Sequence, residues 1–443
     1  MKKIISKLMG GVLLFSFSMS LTSCEGALDD ILGEWSRPTP GNVTPGTDEG
    51  GVTSITVDLS KIDAKYLDSE KTKLQLTVGD EVTLSFTILP EEMADTKVEL
   101  TADDETILSV EGLKVTAKKA GETKVTAKAG EKEAYLDVMV KELVNLSAIT
   151  EDYTAQDGTV LTGTLAANVK ISIADGATVT LKDLTINGVN DDAYLWAGIT
   201  AEGDATIILE GENYVKSFLQ TYPGIFIAAD KTLTIKGDGK LTATAGYGTG
   251  IGAAYYYDSN TSTTYKYPCG NIVIESGTII ATGTGHGNGI GGYDACNNGD
   301  ITINGGTVTA TGGLVGIGSG QSATGGKITI TGGTVTAKGS GGPGIGASGT
   351  SVCGDITITG GTVDAQCTGQ MSSGIGVYDA ATCGNITITN TVTKVTATKG
   401  THTAEYSIGK SSSSDSGTCG TITIGGEVKA QTELTTSPYI YQP

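Results

Sequence analysis

From residue 198 onward, apolar and polar residues alternate in short runs: Ile301-Thr302-Ile303, Ile328-Thr329-Ile330, Ile356-Thr357-Ile358, Ile386-Thr387-Ile388 and Ile422-Thr423-Ile424. A period of two sets the isoleucines on one side of a strand and the threonines on the other. Glycine pairs stand one residue beyond three of these runs, at Gly305-Gly306, Gly332-Gly333 and Gly360-Gly361, and a second run comes next as Thr307 to Ala310, Thr334 to Ala337 or Thr362 to Ala365. Glycine accepts positive φ without a steric penalty, so each pair predicts a corner. A Gly-Ile pair recurs at Gly198, Gly224, Gly250, Gly289, Gly316, Gly344 and Gly374, and Ser407-Ile408 takes the next place. The intervals lie in the range of roughly 20 to 50 residues that marks a solenoid. Three short strands per coil, stacked on their copies about 4.8 Å apart, predict an all-β, three-faced, single-stranded parallel β-helix over 150–443, of expected right hand. Its interior would be Ile and Val, and helical periodicity appears nowhere in it.

Upstream, over 52–142, the alternation belongs to longer strands: Leu74 to Val78, Val82 to Phe86 and Lys124 to Ala127, with turns at Gly79-Asp80, Glu111-Gly112 and Ala120-Gly121. This spacing predicts a small β-sandwich. The stretches Thr77-Val78-Gly79-Asp80, Leu89-Pro90, Val110 to Ala117 and Ala120 to Thr126 resemble the bacterial Ig-like domain, group 2. Leu100 stands where that family often has a Trp in its central strand. The resemblance implies an Ig-like fold and an adhesive role.

At the N-terminus Lys2, Lys3 and Lys7 precede an apolar run from Leu8 to Leu21. That is too short to span a membrane and reads as a signal peptide over 1–23. Leu21-Thr22-Ser23-Cys24 resembles the lipobox of bacterial lipoproteins, which implies cleavage before Cys24 and a lipid on its thiol. Glu25, Asp29 and Asp30 resemble a surface-export tag. Pro38, Pro40 and Pro45 mark 24–51 as an acylated tether. The expected location is the outer membrane, cell-surface exposed, with membrane contact through the lipid anchor alone.

Composition narrows the class. With 65 Gly, 18% charged and 5% aromatic residues, the chain suits many short strands and tight turns, and its 9 prolines exclude collagen. A net charge of −20 argues against nucleic acid as a partner, because phosphate recognition requires a basic face.

Stacking places equivalent residues in columns, where chemistry would collect. Asn271, Asp300, Lys327, Asp355, Asn385 and Thr421 form one, read either as a cation site or as a surface charge ladder. Cys353, Cys383 and Cys419 share another with Cys269, while Cys296 and Cys367 fall off it; a buried thiol stack is favoured over disulfides. The longest coil carries an insertion, Tyr255, Tyr256, Tyr257 and Asp258, then Tyr265 and Tyr267. The same corner carries Tyr293 with Asp294 and Tyr378 with Asp379 in other coils. Tyrosine offers a flat apolar face for a sugar ring, and a carboxylate accepts from sugar hydroxyls, so these ten residues are the candidate glycan contacts. The alternative is that the tyrosines cap the corner and pack on one another. The Gly-Ile-Gly strip reads either as a bare docking face or as what tight winding demands.

Gly285-His286-Gly287 resembles the GHG element of polygalacturonases, but the paired aspartates and the Arg-Ile-Lys of that family are missing. Arg37 is the sole arginine and lies in the tether, and His286 and His402, the only histidines, fall in separate coils. No nucleophile, base and electrophile converge, so the chain is read as a non-enzyme. The runs Gly299–Val308 and Gly354–Val363 resemble the non-catalytic carbohydrate-binding β-helix family, whose fold is pectate-lyase-like. That resemblance implies glycan binding and calcium, although Gly-Ile-Gly stands where the family often has Asp-Gly-Ile. The expected function is surface binding of a polysaccharide or of a host or bacterial glycan. The alternatives are a polysaccharide-cleaving lyase or hydrolase, and a structural spacer or protein-binding adhesin.

Overall fold

The computed structural model describes residues 51–68 and 70–443. The expectations of a signal peptide, a lipid on Cys24 and all but the last residue of the tether lie outside these residues. No helix among the described residues is long and apolar enough to cross a membrane.

Residues 54–141 form a sandwich. One sheet runs Leu74–Thr77, Lys132–Lys141, Gly121–Ala129 and Glu99–Ala102, and a second runs Glu81–Thr83, Lys114–Ala117 and Leu108–Glu111. Alternation sends Leu74, Leu76, Leu108, Val115, Val125, Leu136 and Val138 into a shared core, with Leu100 packed against it. The strand Leu143–Asn145, which reads as connector in the sequence, already pairs in parallel with Val160–Thr164, so the sandwich feeds straight into the first coil.

Beyond it the chain winds as a parallel β-helix. The Ile-Thr-Ile strands stack in exact register, Ile301 on Ile328, Ile356, Ile386 and Ile422. The second strands do the same, Val308 on Val335, Val363 and Val395. The Gly-Ile strands make a third, ten-stranded face from Tyr153–Ala155 to Ile408–Lys410. The inward Ile and Val columns form one continuous core. Each isoleucine removed from water stabilises the stack by about 2 kcal/mol. The C-terminal edge is covered by Glu427–Val428 and Tyr439–Tyr441, which run antiparallel to Ile422–Ile424 and Lys394–Thr398. Reversed strands there block further parallel pairing.

Glycine is required at two kinds of place. At the Gly305-Gly306 and Gly332-Gly333 corners only the second glycine is left-handed, with φ +80° at Gly306 and +81° at Gly333. On the third face Gly346 has φ +137°, and a Cβ there would run into the carbonyl oxygen of Gly376 in the next coil. Gly252, Gly291, Gly318, Gly346, Gly376 and Gly409 are buried, so the strip is what tight winding demands and offers no bare surface.

Candidate functional site: an aromatic cleft beside a tyrosine hairpin

The long coil leaves the stack as a hairpin. Ala254–Asp258 and Thr263–Tyr267 pair antiparallel, with Tyr256 opposite Tyr265 and Ala254 opposite Tyr267. Aromatic residues suit such a two-stranded ribbon, and Asp258 closes its turn. Its Oδ1 accepts from the Asn260 N–H at 2.9 Å and its Oδ2 from the Thr261 hydroxyl at 2.8 Å. The Thr261 hydroxyl, then the Asn260 N–H, hold this carboxyl below its ordinary range.

Strand alternation gives the hairpin two faces. Ala254, Tyr256 and Tyr267 pack against Leu219, Tyr222 and Phe226 of the preceding coil. The Tyr222 and Tyr267 ring centroids lie 5.6 Å apart, and Tyr256 stacks on Tyr265 at 6.0 Å with planes inclined by 21°. Phe226 follows Ile225, which pairs with Ile251, so a phenyl ring occupies the place of Gly252 and the glycines above it. One coil earlier stands Trp196, whose ring is held against Tyr194 at 5.2 Å and Phe218 at 5.7 Å.

Between these rings opens a cavity of ≈ 200 Å³, lined by Trp196, Tyr222, Phe226 and Tyr267 together with Lys170, Leu195, Ala197 and Thr200. The Trp196 Nε1 is buried and has no hydrogen-bond partner among the described residues. Burial, and then the Tyr267 hydroxyl, push the Tyr222 phenol well above its ordinary range. Lys170 Nζ sits 3.0 Å from Glu202 Oε1, so the one ammonium lining the cleft is already neutralised. Burial, and then Asp258 and Asp192, raise the Tyr256 phenol on the hairpin face, so two carboxylates act on that face. A larger cleft of ≈ 760 Å³ lies between sandwich and helix, but its lining is mixed charge, with Lys182–Glu210 and Lys240–Glu212 each paired at 3.7 Å.

Of the ten residues singled out from sequence, Tyr256, Tyr265, Tyr267 and Asp258 share the hairpin face turned to the cleft, and of these Tyr267 lines it. Tyr255 lies on the opposite face and meets Tyr293 at 5.5 Å; Tyr293 is buried, so this pair caps the corner. Tyr257 is half-exposed on that same opposite face. Asp294 turns to His286, with Oδ2 3.8 Å from Nδ1. Tyr378 lies four coils further on, about 19 Å along the axis by strand spacing, where its hydroxyl contacts Met371 Sδ at 3.5 Å and Asp379 sits in an exposed turn. The structure therefore brings no single ten-residue site together. Trp196, Tyr222, Phe226 and Lys170 belong to the cleft and were missed. The signal available was Phe226, the bulky exception in a position that becomes glycine.

The Asn/Asp column does different work from either reading. Asn271 Oδ1 accepts from the Asp300 N–H at 2.8 Å, Asp300 Oδ1 from the Lys327 N–H at 2.7 Å, Asp355 Oδ1 from Asn385 at 2.8 Å and Asn385 Oδ1 from Thr421 at 2.9 Å. Asp175 and Asp204 do the same lower down, toward Asp204 and Thr232. The carboxylates are corner acceptors that satisfy amides of the next coil. Among the described residues no group of three or more His, Cys, Asp or Glu side chains is arranged to hold a metal ion.

Among the described residues six cysteines are free thiols. Cys353, Cys383 and Cys419 stack in register in a three-stranded corner sheet. Cys269 joins their column through Asn298 and Gly325. Cys296 instead donates to the Ala254 carbonyl at 3.1 Å, under the hairpin.

A family model described as a beta helix repeat matches residues 233–255, 301–321, 328–349 and 356–376. These segments hold strands of the stacked faces, and they class the chain as a parallel β-helix protein. No curated protein matches it.

Proposed function

We propose that this chain is a lipid-anchored cell-surface protein that binds a glycan without cleaving it, the sugar lying in the cleft between Trp196, Tyr222, Phe226 and Tyr267. The observation that carries the reading is the convergence of four aromatic rings from three coils around one open cavity. Flat rings take the apolar face of a pyranose, and a few polar groups at the edge fix its orientation. The Thr200 hydroxyl supplies such a group. The carboxylates acting on the hairpin face and the neutralised Lys170 favour a neutral chain over a uronate. A polysaccharide reaches a cell-surface protein that a lipid on Cys24 would hold, and the sandwich would act as a spacer or a second adhesive module.

Cleavage is the second reading, favoured by one observation, the approach of His286 to Asp294. Against it, the helix holds no arginine to neutralise a uronate, and the second histidine, His402, lies in another coil. A glycan array combined with a reducing-end assay on the purified chain tests both. Retention without new reducing ends is expected; released ends establish cleavage, and retention on no glycan removes the sugar reading and leaves the spacer or protein-binding adhesin.

A further inference from the structure

The last two coils carry a pair of thiols in contact. Cys383 and Cys419 are register partners in adjacent parallel strands, Thr382–Cys383 and Thr418–Cys419. Parallel partners stand about 4.8 Å apart, inside the Cα separation of about 4.4–6.8 Å that a disulfide spans. Their sulfurs are 2.8 Å apart, whereas the other thiol of the stack, Cys353, points its sulfur to the Gly326 carbonyl at 3.9 Å. Access is graded as well: Cys419 is partly exposed, and Cys383 and Cys353 are buried.

We infer that Cys383 and Cys419 form a covalent clip between the last two coils when the protein meets a small-molecule disulfide. The accessible Cys419 thiolate attacks one sulfur of the reagent, the reagent's S–S bond breaks, and one of its halves leaves as a thiol. Cys383 then loses its proton and attacks the Cys419 sulfur of the mixed disulfide. A Cys383–Cys419 S–S bond forms, the second half of the reagent leaves as a thiol, and the two electrons removed from the protein end on the reagent. Contact with Cys419, followed by burial, raises the Cys383 thiol in the reduced pair, so Cys419 is the thiol that attacks the reagent first. The terminal coil has a full coil on one side only, the other side carrying just the short antiparallel strands Glu427–Val428 and Tyr439–Tyr441, so it is a coil that a clip secures well.

The test is to incubate the full chain with oxidised glutathione and digest it, without reduction, with a protease that cleaves before aspartate. Asp355, Asp364, Asp379 and Asp415 place Cys353, Cys367, Cys383 and Cys419 on separate peptides. The expected result is a linked pair of peptides joining Cys383 to Cys419, with a rise in melting temperature that thiol reduction reverses. Cys419→Ala should abolish both, and Cys353→Ala should leave both in place. Glutathione remaining on Cys419 with no link, or a predominant link from Cys353 to Cys383, would overturn the inference.

Discussion

Tyr256 and Tyr265 face one another across the hairpin with ring planes inclined by only 21°, and the two side chains come from strands that no other coil possesses. The hairpin therefore adds an aromatic wall to a scaffold whose coils otherwise present threonine. Trp196 and Phe226 complete the enclosure from below.

The cleft residues should separate from the capping tyrosines in binding. Trp196→Ala and Tyr267→Ala are each expected to weaken glycan binding about tenfold or more, the scale of losing a buried aromatic anchor. Tyr378→Ala should leave the affinity unchanged. Titration calorimetry with a glycan retained on the array reads all three, and equal losses from Tyr378→Ala and Trp196→Ala would remove the cleft from the argument.

The corner ladder predicts a graded stability series. Asp300→Ala strips the Lys327 N–H of its acceptor and should cost about 1–2 kcal/mol. Asp300→Asn keeps an acceptor oxygen, as Asn271 and Asn385 already do, and should cost little. Urea denaturation followed by circular dichroism compares the two; a carboxylate-specific loss would restore the reading of the column as a charge site.

Winding density predicts intolerance on the third face. Gly346→Ala places a Cβ against the Gly376 carbonyl at φ +137°, and is expected to destabilise by about 3 kcal/mol or more. Gly51→Ala, with nothing within 4 Å of the new methyl, is the matched control. Thermal melts of both variants decide whether the glycine strip is structural.

Alkaline pH should loosen the stack through its buried thiols. Burial pushes Cys269 and Cys353 up to about 12 from an ordinary 9.0. The unfolded thiol ionises first, so between these values the unfolded chain binds fewer protons than the folded one. The contribution is intact below about pH 9 and is lost as pH rises toward 12. Cys269→Ala should flatten the fall of stability with pH in that window, whatever it does to stability at neutral pH.

The coil architecture was legible because an Ile-Thr-Ile run states its own inward face and a repeat states its own length. The hairpin was legible as a tyrosine-rich insertion, but its faces were not, since Tyr255 and Tyr256 look alike in sequence and part only when strand pairing assigns sides. Trp196, Tyr222 and Phe226 escaped because they lie on coils before the insertion, and only folding the hairpin back over them makes one cleft. Asp300 was visible as a charged column member. Its task was not, because sequence does not say which corner amide lacks a carbonyl to receive it.

That column also has an arrow. Each acceptor sits on one coil and each amide on the next, from Asp175 toward Asp204 and from Asn385 toward Thr421. Except at Lys327, a coil of this column thus presents its successor with a preset oxygen, and its predecessor with a preset amide. The two ends of the solenoid are therefore chemically unlike along this column, with acceptor oxygens facing the C-terminal side and amides facing the N-terminal side.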